Sequence, residues 1–397
     1  MNLIDDIARS DLWERFYEYR VSHYCSADFE SDLRGFIDDR RYLKVLEGIR
    51  SGYFPLPRRA VISKMSTQKK RVVYTYPHDE NMVLKFLTYY VIRRYDHIFA
   101  PNLYSFRSQK TVKDAIRRLT GIPGISSKYA YKVDISNYFN SIPADRLIPM
   151  LENVLSDDPA LLGFLKGLLT EPGVLDGDNV ITEQKGIMAG TPIASFYADL
   201  YLNGLDHHFH DLGITYARYS DDIIVFADSM EEAKLHAEYI RSFLGESGLS
   251  VNPSKESFYS PDDGWVFLGF YYRLGVIDIA PASVTKIKAK MRRKMRALKR
   301  WEKRKDLSSD RSASAFIRVF NRKLFEKRDD NDLTWSLWYF PVINTTRSLE
   351  VIDHYAQDCV RYLLTDKHTK GRYSARYSDL KSLGYKCLVN EYYKDRD

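Results

Sequence analysis

The sequence predicts an α+β fold, and three observations predict it. Short runs of β-branched and aromatic residues alternate with helical periodicity as far as residue 280. From Pro281 onward the pattern is helical and basic. The runs 214–219 and 223–227 are separated by so few residues that a tight hairpin must join them. A small sheet with helices on one side, followed by an all-helical C-terminal unit, accounts for this order.

The elements follow along the chain. Residues 1–50 read as helices, punctuated by the turn "SGYFPLP" at 51–57. Residues 58–76 read as a hairpin: "RRAVISKM", a polar turn "STQKK", then "RVVYTY". Periodicity makes 79–98 and 110–120 helical, "KYAYKVDI" at 128–135 a strand, and 145–170 helical again. "ASFYADLYLNGLDHHF" (194–209) is a helix after a Gly/Pro turn, and two strands flank the aspartates of "YARYSDDIIVFAD" (216–228). A helix over 231–245 and a strand, "WVFLGFYY" at 265–272, complete the mixed part.

With 397 residues, 44% of them hydrophobic and 28% charged, the chain has the composition of a folded soluble protein with a sizeable core. No apolar run is long enough to span a membrane, and the acidic start "MNLIDDIARSD" is not a secretory signal. Cys25, Cys359 and Cys387 are too few and too scattered for a disulfide frame or a zinc site, so a reducing cytoplasm is expected. The net charge of +7 is concentrated: residues 286–305 hold twelve Lys or Arg against one Glu, leaving the rest of the chain net acidic. Ile287, Met291, Met295 and Leu298 recur there at helical spacing. The expectation is a helix docked by that apolar stripe, with Arg292, Arg293, Arg296 and Lys299 facing a nucleic-acid backbone.

Chemistry concentrates in the carboxylates. The tight hairpin puts Ser220, Asp221 and Asp222 at its tip, and Asp134 ends another apolar strand. Strand ends in one sheet can lie side by side, which would let Asp134 and Asp221 converge. Clustered carboxylates repel one another unless a cation neutralises them, and hard oxygen ligands favour Mg²⁺, with Mn²⁺ as the alternative. Two such ions suit in-line phosphoryl transfer, one activating the attacking hydroxyl and the other stabilising the leaving pyrophosphate. His207, His208 and His210 in "LDHHFHD" also invite a metal reading, but adjacent histidines on a helix point apart, and a polar helix end is expected instead.

These stretches, taken in order, resemble the palm of a reverse transcriptase. "KVDISNYFNSI" (132–142) is similar to the first catalytic block of that family, "YSDD" (219–222) to its Tyr-x-Asp-Asp block, "GLSVNPSKESF" (248–258) to the Leu-x-x-Asn-x-x-Lys block and "WVFLGF" (265–270) to the primer-grip hairpin. Upstream, "SKMSTQKKRVV" (63–73) and "YSFR" (104–107) resemble the finger blocks of the bacterial enzymes. The resemblance covers about residues 55–275 and implies a right-hand polymerase fold. Fingers with N-terminal helices would occupy 1–125, a palm with a small antiparallel sheet 126–279, including the helices of 145–170, and a basic helical thumb 280–397.

It also implies roles for single residues. Asp134, Asp221 and Asp222 match the metal-binding carboxylates, with the backbone carbonyl of Ile135 as a further ligand. Phe139 matches the bulky gate beneath the sugar, which favours deoxynucleotides. Lys64 and Arg71 match finger cations that clasp the triphosphate. Lys255 matches a lysine proposed to protonate the leaving pyrophosphate. Gly190 matches a family glycine whose backbone approaches the nucleotide.

One block departs from the family. Many relatives carry Pro-Gln-Gly and then Ser-Pro, where this chain has "MAGTPIASFYADLYL" (188–202). Ala189 stands at the glutamine position and Ala194–Ser195 replaces Ser-Pro, so a side-chain contact to nucleotide or template is lost. There is no Asn-Ala-x-x-His stretch of the retron kind and no Cys/His endonuclease of the group II intron kind. The tail "GRYSARYSDLKSLGYKCLVNEYY" (371–393) looks like that of stand-alone bacterial enzymes of the defence-associated, abortive-infection type. The implied activity is RNA-directed DNA synthesis from dNTPs in antiphage defence. Its partners would be a cognate non-coding RNA template and the DNA product, with a homo-oligomer or partner defence protein admitted. The alternatives are a template-independent terminal polymerase and a non-catalytic, maturase-like RNA-binding protein.

Overall fold

The computed structural model describes residues 2–23, 25–63, 70–326 and 334–396. Two compact units emerge, one of Met1–Ala115 with Ser127–Ser260, the other of Ile116–Ser126 with Pro261–Asp397. The last three strands cluster with the C-terminal helices in the second unit.

The first unit mixes helices with two four-stranded sheets. Helices Ser10–Ser22, Ala27–Asp38, Tyr42–Arg50 and His78–Arg94 close around Trp13. Its ring stacks on Phe86 at 4.1 Å and Tyr42 at 5.0 Å, and its buried N–H donates to the Ile7 carbonyl at 2.8 Å, so both the apolar body and the polar tip are satisfied. One sheet has the order β2-β1-β4-β5, with β1 (Arg58–Ser63), β2 (Lys70–Thr75), β4 (Gly173–Asp176) and β5 (Asn179–Thr182). The other has the order β6-β7-β3-β8, with β3 (Tyr129–Asp134), β6 (Tyr216–Tyr219), β7 (Asp222–Ala227) and β8 (Ser257–Tyr259). All pairings in this second sheet are antiparallel. β7 reads Asp-Ile-Ile-Val-Phe-Ala and is buried from Ile223 to Ala227, as a central strand covered on both faces must be. Helix Met230–Glu246 lies against β3 and β7 through Ala233, Ala237, Ile240 and Leu244. Ser229 caps it by accepting from the Glu232 N–H, while Glu232 accepts from the Asp228 N–H at 2.8 Å.

The second unit holds a three-stranded antiparallel sheet of β9 (Trp265–Phe267), β10 (Phe270–Arg273) and β11 (Val276–Ile279). Helices Pro281–Lys305, Ser309–Phe325 and Arg347–Thr365 pack on one another. The expected stripe of Ile287, Met291, Met295 and Leu298 is buried in that packing.

Several expectations need correction. The single strand over 265–272 is a hairpin, broken where Leu268 and Gly269 take positive φ. The helix over 194–209 is two helices, Ala194–Tyr201 and Asn203–Asp211, and the helical stretch 145–170 divides into Ala144–Val154 and Pro159–Thr170. The β4–β5 hairpin was not anticipated, although Asp176-Gly177 is a turn signal. Among the described residues no helix is long and apolar enough to cross a membrane.

Candidate active site

The sheet register builds the site. β3 and β7 pair without interruption from Tyr129↔Ala227 to Asp134↔Asp222, so two carboxylates are set directly opposite each other. β6 pairs with β7 up to Tyr219↔Asp222, which leaves Ser220 and Asp221 as a two-residue loop. Ser220 has φ +57°, whereas Asp221 does not take positive φ. Positive φ at the first loop residue alone is the signature of a type II′ turn, whose twist suits a hairpin. Ile135 donates its N–H to the Asp221 carbonyl at 3.1 Å, tying the hairpin tip to the end of β3. One carboxylate oxygen from each of Asp134, Asp221 and Asp222 then lies within 4.8 Å of the others.

Electrostatics follow from this crowding. Burial, and then the charges of Asp222 and Asp134, push the Asp221 carboxyl up to about 6. Two lysines oppose the three acids: Lys255 pairs with Asp134, and Lys132 Nζ lies 3.3 Å from Asp222. The excess of hard, negatively charged oxygens over local cations fits a divalent ion such as Mg²⁺ or Mn²⁺. Among the described residues, this trio is the group of His, Cys, Asp or Glu side chains placed to hold a metal. The histidine-rich helix end does other work: His207 bonds the Ile98 carbonyl at 2.9 Å and His208 stacks on Tyr239 at 3.8 Å.

The turn after the helix Met230–Glu246 locks Asp134 and presents Lys255. Asn252 donates its backbone N–H to the Asp134 carbonyl at 2.7 Å and its amide to Asp134 Oδ1 at 3.4 Å. Its own Oδ1 accepts from Ser254 Oγ at 2.8 Å, closing the turn that ends at Lys255. Ile135 is buried, and its bridge to Val251 runs through the Asp134 carbonyl and the Ser136 N–H. The Ile135 carbonyl is therefore not consumed by that bridge.

Phe139 is half-buried, with its ring 6.4 Å from Phe106, which in turn lies 6.3 Å from Tyr219. Gly190 (φ +103°) presses so closely on β2 that an added Cβ would stand 3.0 Å from the Tyr74 carbonyl. The Tyr74 N–H donates to the Ala189 carbonyl at 2.8 Å. Asn140 bridges the same loop and strand, its Oδ1 accepting from the Ala189 N–H at 3.2 Å and its Nδ2 donating to the Val72 carbonyl at 3.0 Å. Arg71 is exposed on β2, and Lys64 lies outside the described residues.

In the second unit, Arg292, Arg293 and Arg296 are exposed along the long basic helix. Lys299 departs from the expectation of a phosphate contact: it is buried and held by Glu302 at 2.7 Å and Asp366 at 3.5 Å. Its neighbours on the apolar stripe turn it inward, where carboxylates already claim its charge.

Sequence reasoning passed over Lys132, Asn252, Asn140 and Arg218. Strand alternation places Lys132 on the same face as Asp134, and Asn252 belongs to the Leu-x-x-Asn-x-x-Lys block, so both had a signal. Asn140 and Arg218 had none, because their partners lie 49 or more residues away in Asn140's case and on neighbouring helices in Arg218's.

With this site in view, the similarities to known proteins are specific. Residues 62–272, more than half of the chain, match the family described as reverse transcriptase (RNA-dependent DNA polymerase). The chain belongs to the reverse transcriptase family. All three aspartates, together with Lys255, fall inside the matched segment of this reverse transcriptase homologue. A Schizosaccharomyces pombe relative, described as an uncharacterized 91 kDa protein in cob intron, is 26% identical over 172 residues, 43% of this chain and 21% of that protein. The chain thus spans about a fifth of that relative's length. An apo telomerase from Candida tropicalis, truncated from its C-terminal domain, is similar in structure with a TM-score of 0.46 and 12% identity, over 57% of this chain and 55% of that one.

Proposed function

We propose that this chain is an RNA-directed DNA polymerase that extends a primer with dNTPs on an RNA template. The observation that carries this reading is the trio of aspartates gathered by the β3–β7 register and the β6–β7 turn. Asp134, Asp221 and Asp222 would hold Mg²⁺, in two sites, with Mn²⁺ as a substitute. A bound divalent ion supplies charge neutralisation at the attacking and departing oxygens of phosphoryl transfer. The chain's own groups do the rest. Asn252 fixes the Asp134 carboxylate, Ile135 holds the hairpin tip in place, and Lys255 can exchange Asp134 for a departing pyrophosphate. Phe139 would stand beneath the sugar, and the backbone of Gly190 along the nucleotide. Arg71, with Lys64, would meet the triphosphate from the fingers.

In this reading 1–125 supplies N-terminal helices and fingers, 126–279 the palm and 280–397 the thumb. Arg292, Arg293 and Arg296 would follow the duplex backbone. Likeness of the tail to stand-alone defence enzymes supports a role in antiphage defence, with a cognate RNA as template. A second reading, template-independent addition, is favoured by one feature. Ala189 offers no side-chain amide where the family has glutamine, and its backbone is committed to Tyr74 and Asn140.

The test is purified protein with Mg²⁺, labelled dNTPs and poly(rA)/oligo(dT), against EDTA and Asp221→Ala/Asp222→Ala controls. Product limited to dTTP incorporation and abolished by both controls supports templated synthesis. Equal incorporation of all four dNTPs favours terminal addition, and no synthesis on any primer, with RNA retained, would make the chain a binding protein.

A further inference from the structure

We propose that Arg218 is a positioning residue: its buried guanidinium holds the Ser220 carbonyl and thereby sets the turn that aims Asp221 and Asp222 at their metal. The inference rests on the polymerase reading only in taking those aspartates as metal ligands.

Arg218 sits on β6, three residues before Asp221, and is fully buried. Each nitrogen of its guanidinium has an acceptor. Nε reaches Asp206 at 2.8 Å, and Nη2 reaches Asp206 at 2.5 Å and the Asp199 carbonyl at 3.0 Å. Nη1 donates to the Ser220 carbonyl at 3.2 Å, with the Asp199 carboxylate 3.8 Å away. The acceptors are fixed in turn: Tyr216 donates its hydroxyl to Asp206 at 3.0 Å, and Ser105 donates to Asp199 at 2.6 Å. The Arg218 backbone is clamped as well, donating to the Asn102 carbonyl at 3.1 Å and accepting from the Tyr104 N–H at 2.9 Å.

Burying a guanidinium with a carboxylate adds little net stability, since desolvation offsets most of the attraction. A pure core could use two apolar side chains here. What the guanidinium does beyond pairing with Asp206 is reach forward two residues to a carbonyl that has no strand partner. That carbonyl belongs to Ser220, a non-glycine residue at φ +57°, a backbone conformation that costs an L-residue about 1–3 kcal/mol. The hydrogen bond therefore falls on the one strained residue of the loop. Lysine cannot replace it, because a single ammonium does not span Asp206, Asp199 and Ser220 in one plane. Arg218 touches no reacting atom in this arrangement and acts only through the turn.

The experiment measures Mn²⁺ affinity by electron paramagnetic resonance, with thermal melting in parallel, on the full chain. Wild type, Arg218→Lys, Arg218→Lys/Ser220→Gly and Asp221→Ala/Asp222→Ala are compared. Arg218→Lys should bind Mn²⁺ about tenfold or more weakly, as is usual when support behind a ligand is lost. Adding Ser220→Gly, which takes positive φ without strain, should restore much of that affinity without restoring the melting temperature. Unchanged Mn²⁺ affinity in folded Arg218→Lys, or a loss that Ser220→Gly leaves untouched, overturns the inference. Should Arg218→Lys not fold, Asp206→Asn, which loosens the grip on the guanidinium, must show the same affinity loss in smaller degree, and unaltered affinity there refutes it equally. A wild type whose Mn²⁺ signal matches that of Asp221→Ala/Asp222→Ala would sink the metal site itself, and this inference with it.

Discussion

Asp134 stands directly across from Asp222 in the antiparallel pairing of β3 with β7, at the last rung of an uninterrupted ladder. Side chains directly opposite on one face are only about 5 Å apart at Cβ, and like charges there are destabilising. The pair is tolerated because Lys255 and Lys132 each cover one carboxylate. The arrangement costs stability unless something gains from it, and a bound divalent ion is the gain the geometry supports.

The first prediction concerns catalysis. Asp221→Ala combined with Asp222→Ala should reduce dNTP incorporation to background. Both residues sit at a hairpin tip and contribute little packing, so circular dichroism and RNA retention should stay close to wild type. Wild-type-like synthesis by the double variant would remove the assignment.

The second follows from the raised pKa of the Asp221 carboxyl, about 6 against an ordinary 3.8. The folded state holds this proton more tightly than the unfolded chain does. That costs nothing below about pH 4, and the cost grows as pH rises from there to about 6. In EDTA at pH 7, Asp221→Asn should therefore melt higher than wild type, by the equivalent of ~1–3 kcal/mol. The difference should close near pH 4. Mg²⁺ should raise the melting temperature of wild type more than that of the variant. A variant that melts lower than wild type at pH 7 would show that the carboxylate is favourably paired instead.

The third concerns sugar choice. Phe139 is only half-buried and keeps an edge contact with Phe106, so its ring is not fully spent on the core. Phe139→Ala should admit ribonucleotides, lowering the dNTP/NTP preference in kcat/KM by tenfold or more, for a steric contact worth about 1.4 kcal/mol or above. An active variant with unchanged preference would make the ring a packing element.

Legibility in the sequence was uneven for physical reasons. The clustering of the three aspartates, the strands that carry them, and the stripe of the long basic helix were readable because each signal is local: a hairpin-length gap, alternation, or a period of 3.6. Breaks inside elements were not. Leu202 interrupts a helix without Gly or Pro, and Leu268 turns a strand back on itself with positive φ in a non-glycine residue. Lys299 looked like its basic neighbours, yet its burial depends on Asp366, far along the chain. Arg218 lay in plain view in "YARYSDD", but its role depends on Asp199 and Asp206, whose placement only the fold decides.

The last prediction separates the cations of the basic helix by burial. Arg292, Arg293 and Arg296 are exposed, whereas Lys299 is buried between Glu302 and Asp366. If the exposed three line a primer–template backbone, each neutralised phosphate releases counterions, and log affinity falls with log salt by about 0.9 per contact. Replacing all three by Gln, which keeps helix propensity nearly constant, should lower the magnitude of the salt slope by about two to three units. Affinity at low salt and the length of product per binding event should drop, while single-nucleotide addition at saturating primer–template should change little. Lys299→Gln should do the opposite. It should leave the salt slope intact and lower the melting temperature, because Glu302 and Asp366 lose their shared cation, at a cost of about 1–3 kcal/mol. Filter binding of a labelled RNA–DNA hybrid from 50 to 300 mM KCl, a range of roughly sixfold in salt over which such a slope is resolved, measures the first effect. A slope that the triple variant leaves unchanged would remove the exposed arginines from the nucleic-acid path, and a slope that falls with Lys299→Gln would mean that its carboxylate partners release it on binding.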